Sequence, residues 1–212
     1  PLKVPASRAP GVAAILRGRA AVDFLAERAE VVLRYSGGAN AGHTVVVKDR
    51  MYKFHLVPSG VLNPGKTVVL GIGMVVDLST LFEELSQLEQ AGVPWQGRVL
   101  IADRAHVVLP RYKEMDKNRD RARSKPLGTT GRGIGITYAL KAFREGIRVA
   151  DLFDSGVWSG LEPEDREFLQ PYLARVREMM VDVTALIYEK RNRNILLEGA
   201  QGALLDLDLG TY

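Results

Sequence analysis

The chain has 212 residues, of which 46% are hydrophobic and 25% are charged, an ordinary globular composition. It contains no cysteine, which excludes a disulfide scaffold, a thiolate metal site and a cysteine nucleophile. No apolar run approaches the ~18 residues of a membrane span, and the N-terminal stretch lacks the apolar core of a secretory signal, so we expect a soluble cytoplasmic protein. The net charge of +4 suits anionic small molecules as well as nucleic acid.

The N-terminal part of the chain predicts an irregular arm followed by strands. The first twenty residues are rich in Pro, Ala, Arg and Gly and hold no acidic residue, so we expect an irregular arm over 1–21. Residues 30–35 predict a buried strand, and the glycine-rich segment 36–44 follows it directly. Two β-rich runs at 43–48 and 51–57, separated by a polar turn, predict a hairpin.

The middle of the chain alternates strands with a helix. Residues 67–71, 98–103 and 106–110 are apolar runs of strand length. Apolar residues at helical spacing predict a helix over 78–92, in which Thr80 and Glu83 can form a capping box.

The last part of the chain predicts helices and a final strand. Residues 111–125 are polar and highly charged and predict a surface helix, and a long helical stretch is expected from about Glu164 to Arg191, kinked near Pro171. Residues 194–198 predict a strand that leads into a third glycine-rich turn.

The order of these elements predicts the fold class. Strands and helices alternate, with glycine-rich loops at strand ends, which is typical of an α/β fold with a central, mostly parallel sheet and a ligand site beyond the carboxyl ends of the strands. We divide the chain into the arm at 1–21, the first part of an α/β nucleotide-binding core at 22–110, a helical insert subdomain at 111–190 and a return to the core sheet at 191–212.

Three glycine-rich loops are the candidate chemical sites. The first loop, 36–44, could close its backbone N–H groups on a phosphate, and His43 at its end could donate a proton; the alternative is a tight turn with an exposed histidine. The second loop, 128–135, holds two threonines, an arginine and four glycines and could cradle an anion, or be a flexible surface loop. The third turn, 198–203, carries Gln201, which could read a purine edge or be structural.

The remaining polar features favour structural interpretations. Seven Lys and Arg between residues 111 and 125 are interspersed with Glu114, Asp116 and Asp120, so we interpret this helix as a solvated face, and nucleic acid is not an expected partner. His55 and His106 stand in apolar strand contexts and are predicted to be packed core histidines. We expect the three loops to converge on one cleft.

Taken together, the loops identify a family. The segments RYSGGANAGHTVVV, HLVPSGVLNPG, GTTGRGIG with RVADLFD, and LLEGAQGALLDLDLGTY, in this order over about residues 22–212, resemble adenylosuccinate synthetase. The resemblance implies its P-loop-like α/β fold and a GTP-dependent ligase of purine biosynthesis. Such an enzyme joins IMP and L-aspartate, through a 6-phosphoryl-IMP intermediate, and yields adenylosuccinate, GDP and phosphate with Mg²⁺ as cofactor.

The resemblance also assigns roles to residues of this chain. His43 stands where the family has its general acid, and the Gly42 carbonyl where it ligates Mg²⁺. The implied GTP contacts run from Gly42 to Thr44. Arg144 matches an arginine that reaches the IMP of the neighbouring subunit, so a homodimer is implied. The other implied IMP contacts are Asn40, Ala41, Gly42, His43, Thr130 and Gln201.

The sequence departs from the family at its phosphate loop. Residues 14–20 read AILRGRA, so that Ile15 stands where the family has its catalytic Asp, and Gly18 and Ala20 stand where it has lysines. The sequence also ends at Tyr212, before the family's guanine-recognition and aspartate-binding segments. We therefore predict that this chain is inactive on its own. The alternative is a non-catalytic remnant that binds a nucleotide, or an interaction module that acts through its basic helix.

Overall fold

A six-stranded sheet runs through the centre of the computed structural model, which describes residues 14–16, 25–40, 42–47, 50–124, 128–200 and 202. The order of the strands in this sheet is β1-β10-β2-β5-β7-β9, and every pairing is parallel. These strands are β1 (Ala14–Leu16), β2 (Val31–Arg34), β5 (Thr67–Leu70), β7 (Val99–Ala102), β9 (Met180–Val181) and β10 (Ile195–Glu198).

The central strands are buried on both faces. All four residues of β2 are buried, and the last three of β5 are 0% exposed. A parallel strand covered on both sides needs a continuous apolar run rather than alternation, and the runs at 31–33 and 68–70 supply it. The predicted α/β class with a parallel sheet is therefore confirmed.

Two small strand pairs lie outside this sheet. Strands β3 (His43–Val47) and β4 (Arg50–Phe54) pair antiparallel, with His43 opposite Phe54, which confirms the predicted hairpin. Strands β6 (Val75–Val76) and β8 (His106–Val107) form a short parallel pair.

Seven α-helices are described. They are α1 (Leu78–Gln90), α2 (Pro110–Arg121), α3 (Ile134–Phe143), α4 (Ser155–Gly160), α5 (Pro163–Leu169), α6 (Leu173–Met179) and α7 (Val183–Glu189). The first two match the predicted helices closely. Helix α1, however, begins at Leu78 with Asp77 as its N-cap residue, so the predicted capping box at Thr80 and Glu83 is wrong; the Thr80 hydroxyl instead donates to Asp77 Oδ2 at 3.2 Å.

The single long helix predicted from Glu164 to Arg191 is also wrong. A 3-10 turn at Gln170–Tyr172, which contains the helix-breaking Pro171, separates α5 from α6. The chain then extends as β9, which pairs with Ile101 and Ala102 of β7 before α7 begins. A two-residue strand has no sequence period of its own, so only its place beside β7 defines it.

The proposed division of the chain remains a prediction. Most of the predicted irregular arm at 1–21 lies outside the described residues, and the part that is described, Ala14–Leu16, is an edge strand parallel to β10. One apolar core joins the sheet to side chains from residues 136–183. Among the described helices, none is long and apolar enough to cross a membrane.

Candidate functional site

The first glycine-rich loop leaves the carboxyl end of β2 and is held by packing. Gly37 has φ +98°, and a Cβ built on it would overlap the Cβ of Ala200. A Cβ on Gly38 would lie 2.7 Å from Ile134 Cδ1. These two glycines are therefore required for the close approach of neighbouring segments, whether or not a phosphate binds.

A tyrosine of α3 pins the same loop. The Tyr138 hydroxyl accepts the Gly37 N–H at 2.8 Å and donates to the Gly73 carbonyl at 2.7 Å. Burial raises the pKa of this hydroxyl, which keeps it protonated as a donor. The Gly37 N–H is thus already bonded within the protein and is not available to a phosphate.

Carboxylates of α2 hold the second glycine-rich loop. The N–H groups of Gly128 and Thr129 both donate to Asp120 Oδ2 at 3.2 Å, and the Gly133 N–H donates to Asp116 Oδ2 at 2.9 Å. Three N–H groups of the predicted anion cradle are therefore occupied by protein oxygens. The interpretation of α2 as only a solvated face is wrong, because two of its acids shape this loop.

The first loop contacts each of the other two, while their convergence on one cleft stays a prediction. Arg132 of the second loop donates from Nη1 to the carbonyl of Ala39 in the first loop at 2.8 Å. The third turn meets the first at Ala200 and Gly37. What the second loop presents at this junction is a guanidinium and the exposed side chains of Thr129 and Thr130.

The structure describes four of the predicted site residues fully. Asn40 is half-buried, and its Oδ1 atom is buried without a hydrogen-bond partner among the described residues. Gly42 and Thr130 are exposed. Arg144 is exposed at the end of α3, with a left-handed backbone at φ 66°.

The other predicted site residues are described in part or not at all. His43 and Thr44 begin β3, directly after the first loop, but their side chains lie outside the described part of the chain. Ala41 and Gln201 lie outside the described residues, and Gly199, Ala200 and Gly202 mark where the third turn runs.

Sequence reasoning missed a buried charged cluster beside the first loop. The Glu84 side chain on α1 is 3% exposed and accepts the N–H groups of His55, Leu56 and Val57 at 2.5, 3.1 and 2.9 Å. Its Oε1 also lies 3.3 Å from His55 Nδ1. Burial raises the pKa of Glu84, while the three N–H donors act in the opposite direction.

The two predicted core histidines behave differently. His106 is 8% exposed and is a packed core residue, as predicted. His55 is not, because its side chain is 31% exposed and borders a cavity of about 410 Å³. The contact of His55 with Glu84 on α1 is visible only in the structure, because in the sequence Glu84 is one of several acidic residues on that helix.

The cavity has a mixed lining. Lys53 and Lys113 contribute positive charge, and Lys113 Nζ lies 2.6 Å from Asp77 Oδ2. Glu83, Glu84 and Arg132 are the other charged residues of the wall, so the cavity joins the second loop to His55 and Glu84. Its balance of charges does not select a cation or an anion.

The described residues do not form a magnesium site by themselves. Mg²⁺ prefers octahedral oxygen ligands, commonly including carboxylates. Within the described ranges no three His, Asp or Glu side chains cluster as metal ligands, and the position matched to the family's catalytic Asp is Ile15. The Gly42 carbonyl alone would hold such an ion weakly.

Comparison with known proteins identifies the family. The adenylosuccinate synthetase profile matches residues 17–162 and 159–212. Adenylosuccinate synthetases of Clostridium novyi and Thermosynechococcus vestitus are 44% and 46% identical to the chain over 90% of its length. The structure of the fully ligated enzyme from Plasmodium falciparum superimposes with a TM-score of 0.81 at 32% identity, over 91% of this chain.

The parallel sheet and the helices packed on it thus define an α/β protein. The chain belongs to the adenylosuccinate synthetase family. It spans about half the length of the curated relatives it matches, 50% of the Clostridium protein and 48% of the Thermosynechococcus protein.

Proposed function

We propose that this sequence represents part of an enzyme that ligates IMP and L-aspartate to adenylosuccinate at the expense of GTP, in purine biosynthesis, when the family's phosphate loop and the rest of its length are present. The observation that carries the proposal is the first loop, which contacts the second loop at Ala39 and the third turn at Gly37, and which holds the buried Asn40 Oδ1 without a protein partner in the described part of the chain. A buried acceptor without a donor is costly unless a ligand supplies one. A purine nucleotide carries such donors.

The roles implied by the family fit the position of each described residue. Asn40 and Gly42 lie on the first loop and Thr130 on the second, and in the sequence Ala41 belongs to the first loop and Gln201 to the third turn. Residues 42–44 would contact GTP, and His43 would act as the general acid when GDP leaves. Exposure of Arg144 agrees with a contact to the IMP of a second subunit in a homodimer.

On its own the 212-residue chain should lack turnover. Phosphoryl transfer depends on positioning and charge neutralisation, and Ile15 offers neither a base nor a metal ligand. Ile15 lies in β1, in register with Leu197 of β10, so its backbone is fixed in the sheet.

The non-catalytic alternatives have less support. A basic-helix module would need a free helix face, but Asp116 and Asp120 of α2 hold the second loop. A remnant that only binds a nucleotide would retain the contacts between the loops. Only the absence of turnover in the repaired, full-length protein would distinguish it from the proposed ligase.

A coupled assay separates these possibilities. Adenylosuccinate formation would be followed with GTP, IMP, L-aspartate and Mg²⁺. The purified 212-residue chain would be compared with a repaired, full-length protein, in which the family's phosphate loop replaces residues 14–20. We expect turnover with the repaired protein and none with the chain. A repaired protein without turnover would leave only the binding remnant, and a chain with turnover within tenfold of it would show that the family residues at positions 15, 18 and 20 are dispensable.

A further inference from the structure

The segment 55–57 carries the hairpin back towards the core without a strand partner. Its three consecutive N–H groups point to one side chain, Glu84, at 2.5 to 3.1 Å. A carboxylate that accepts several backbone N–H groups replaces the ladder of hydrogen bonds that a neighbouring strand would provide. Glu84 therefore fixes the path of the chain at the base of the hairpin.

The carbonyl groups of the same segment are held from the other side. Arg34 of β2 is 2% exposed and donates from Nη1 to the His55 carbonyl and, at 3.3 Å, to the Leu56 carbonyl. Its Nη2 lies 3.5 Å from the Gly38 carbonyl in the first loop. One buried cation thus joins the segment to the loop that carries Asn40.

Glu84 and Arg34 together form a clamp on segment 55–57, and this clamp places the His55 ring against Gly42. With Nδ1 of the ring 3.3 Å from Glu84 Oε1, the opposite edge abuts Gly42, because a Cβ built on Gly42 would lie 2.9 Å from His55 Nε2 and 3.0 Å from Cδ2. Gly42 directly precedes His43, and His43 pairs with Phe54 next to His55. The paired strand residues His43 and Phe54 and the residues next to them, Gly42 and His55, therefore lie together at one end of the hairpin.

We propose that Glu84 is a positioning residue for the reaction: through the His55 ring it fixes the Gly42–His43 turn at which the transferred phosphoryl group would be stabilised. Glu84 itself touches no substrate in this account. The inference rests on the proposed function, because it assigns Glu84 a part in that same site. Its physical basis is that small displacements of groups around a reacting centre are expensive in rate.

The kinetic test uses a matched pair on α1 in the repaired, full-length protein. Glu84→Gln keeps the size of the side chain but leaves it one acceptor oxygen for several donors, and we expect kcat to fall by about 10- to 100-fold with the KM for IMP within about threefold. Glu83→Gln removes the same charge from the exposed neighbouring residue, for which no bond to segment 55–57 is observed, and should leave kcat within about twofold. Equal kcat values for the two variants would overturn the proposal.

A double-mutant cycle guards against a simple folding defect. His55→Gln removes the ring but retains the three backbone bonds to Glu84. If the ring transmits the effect, the double variant should be no slower than the slower single variant. Multiplicative losses of kcat in the double variant would mean that Glu84 acts by another route and would overturn the proposal.

A spectroscopic arm does not depend on activity. With ¹⁵N-labelled glycine and histidine, Glu84→Gln should move the amide signals of Gly42 and His43 and the Nδ1 signal of His55, whereas Glu83→Gln should not. If the repaired, full-length protein makes no adenylosuccinate, the proposed function fails. The NMR comparison then still tests whether Glu84 positions Gly42 and His43. Unmoved Gly42 and His43 signals would contradict it.

Discussion

His43 follows the first glycine-rich loop at the point where β3 begins, and its pairing with Phe54 anchors its backbone in the hairpin. If it is the general acid, its removal should slow the chemical step more than it weakens IMP binding. We expect His43→Ala in the repaired, full-length protein to lower kcat by about 10²- to 10⁴-fold with a smaller change in the KM for IMP. Steady-state kinetics would test this, and an unchanged kcat would remove His43 from the mechanism.

Arg144 is the non-glycine residue with positive φ in the described part of the chain, at 66°. A left-handed backbone costs an L-residue about 1–2 kcal/mol, which glycine does not incur. Arg144→Gly should therefore raise the free energy of unfolding by about 1 kcal/mol and raise the KM for IMP. Urea denaturation and kinetics would measure the two effects.

The matched control for this prediction is Arg144→Ala. Alanine loses the guanidinium but keeps the strained backbone, so it should raise the KM for IMP without the gain in stability. A gain of equal size in both variants would show that the strain at Arg144 is not the cause.

At the scale of single residues, the sequence located the loops but not their partners. Glycine-rich segments indicate that neighbouring parts of the backbone come close together, so the loop around Asn40 could be identified from the sequence. The bonds from Asp116, Asp120 and Glu84 could not, because each of these acids lies on a helix whose charge pattern is that of a solvated surface. Only the tertiary structure turns those carboxylates inward.

The N-cap residue of helix α3 is Gly133, and the fold requires a glycine at this position. Gly133 has φ +73°, and a Cβ there would lie 3.0 Å from both Lys113 N and Tyr112 C in α2. Gly133→Ala should therefore lower the free energy of unfolding by about 1–3 kcal/mol. Gly135, two residues on, has no atom within 4 Å of a built Cβ, so Gly135→Ala should raise it by up to about 1 kcal/mol.

Chemical denaturation of these two variants tests the packing of α3 on α2. Because both changes add one methyl group within the same turn, differences in the unfolded state largely cancel. Equal changes in the midpoint for the two variants would contradict the described approach of the helices.

Elements with a strong period were predictable, and short ones were not. The buried strands β2, β5 and β7 and helix α1 each carry a continuous or periodic apolar pattern. The break of the predicted long helix into α5, α6 and α7 follows from Pro171 and from the pairing of β9 with β7. Such pairing depends on a contact distant in sequence, which local patterns do not report.

At the scale of the whole molecule, the buried His106 should make stability depend on pH. Burial, with help from Lys141, lowers the pKa of His106, so the folded state does not take up a proton that the unfolded chain binds below pH about 6.5. The free energy of unfolding should therefore fall as the pH drops below this value, with a slope from this residue of at most about 1.4 kcal/mol per pH unit.

Urea denaturation between pH 7.5 and 5 would check this dependence. His106→Gln should reduce the slope, because glutamine binds no proton in either state. A variant with the slope of the parent protein would show that His106 is not the titrating group.

We propose that the three glycine-rich loops, which come from separate parts of the chain, together form one site that binds a nucleotide. The measurement that tests it most directly is an IMP titration of the ¹⁵N-labelled 212-residue chain, followed by amide NMR signals. The account predicts saturable shifts in all three loops together, at Gly38 and Asn40, at Thr130 and at Gly202, with one common dissociation constant. Shifts confined to one loop, or no shifts at millimolar IMP, would contradict it.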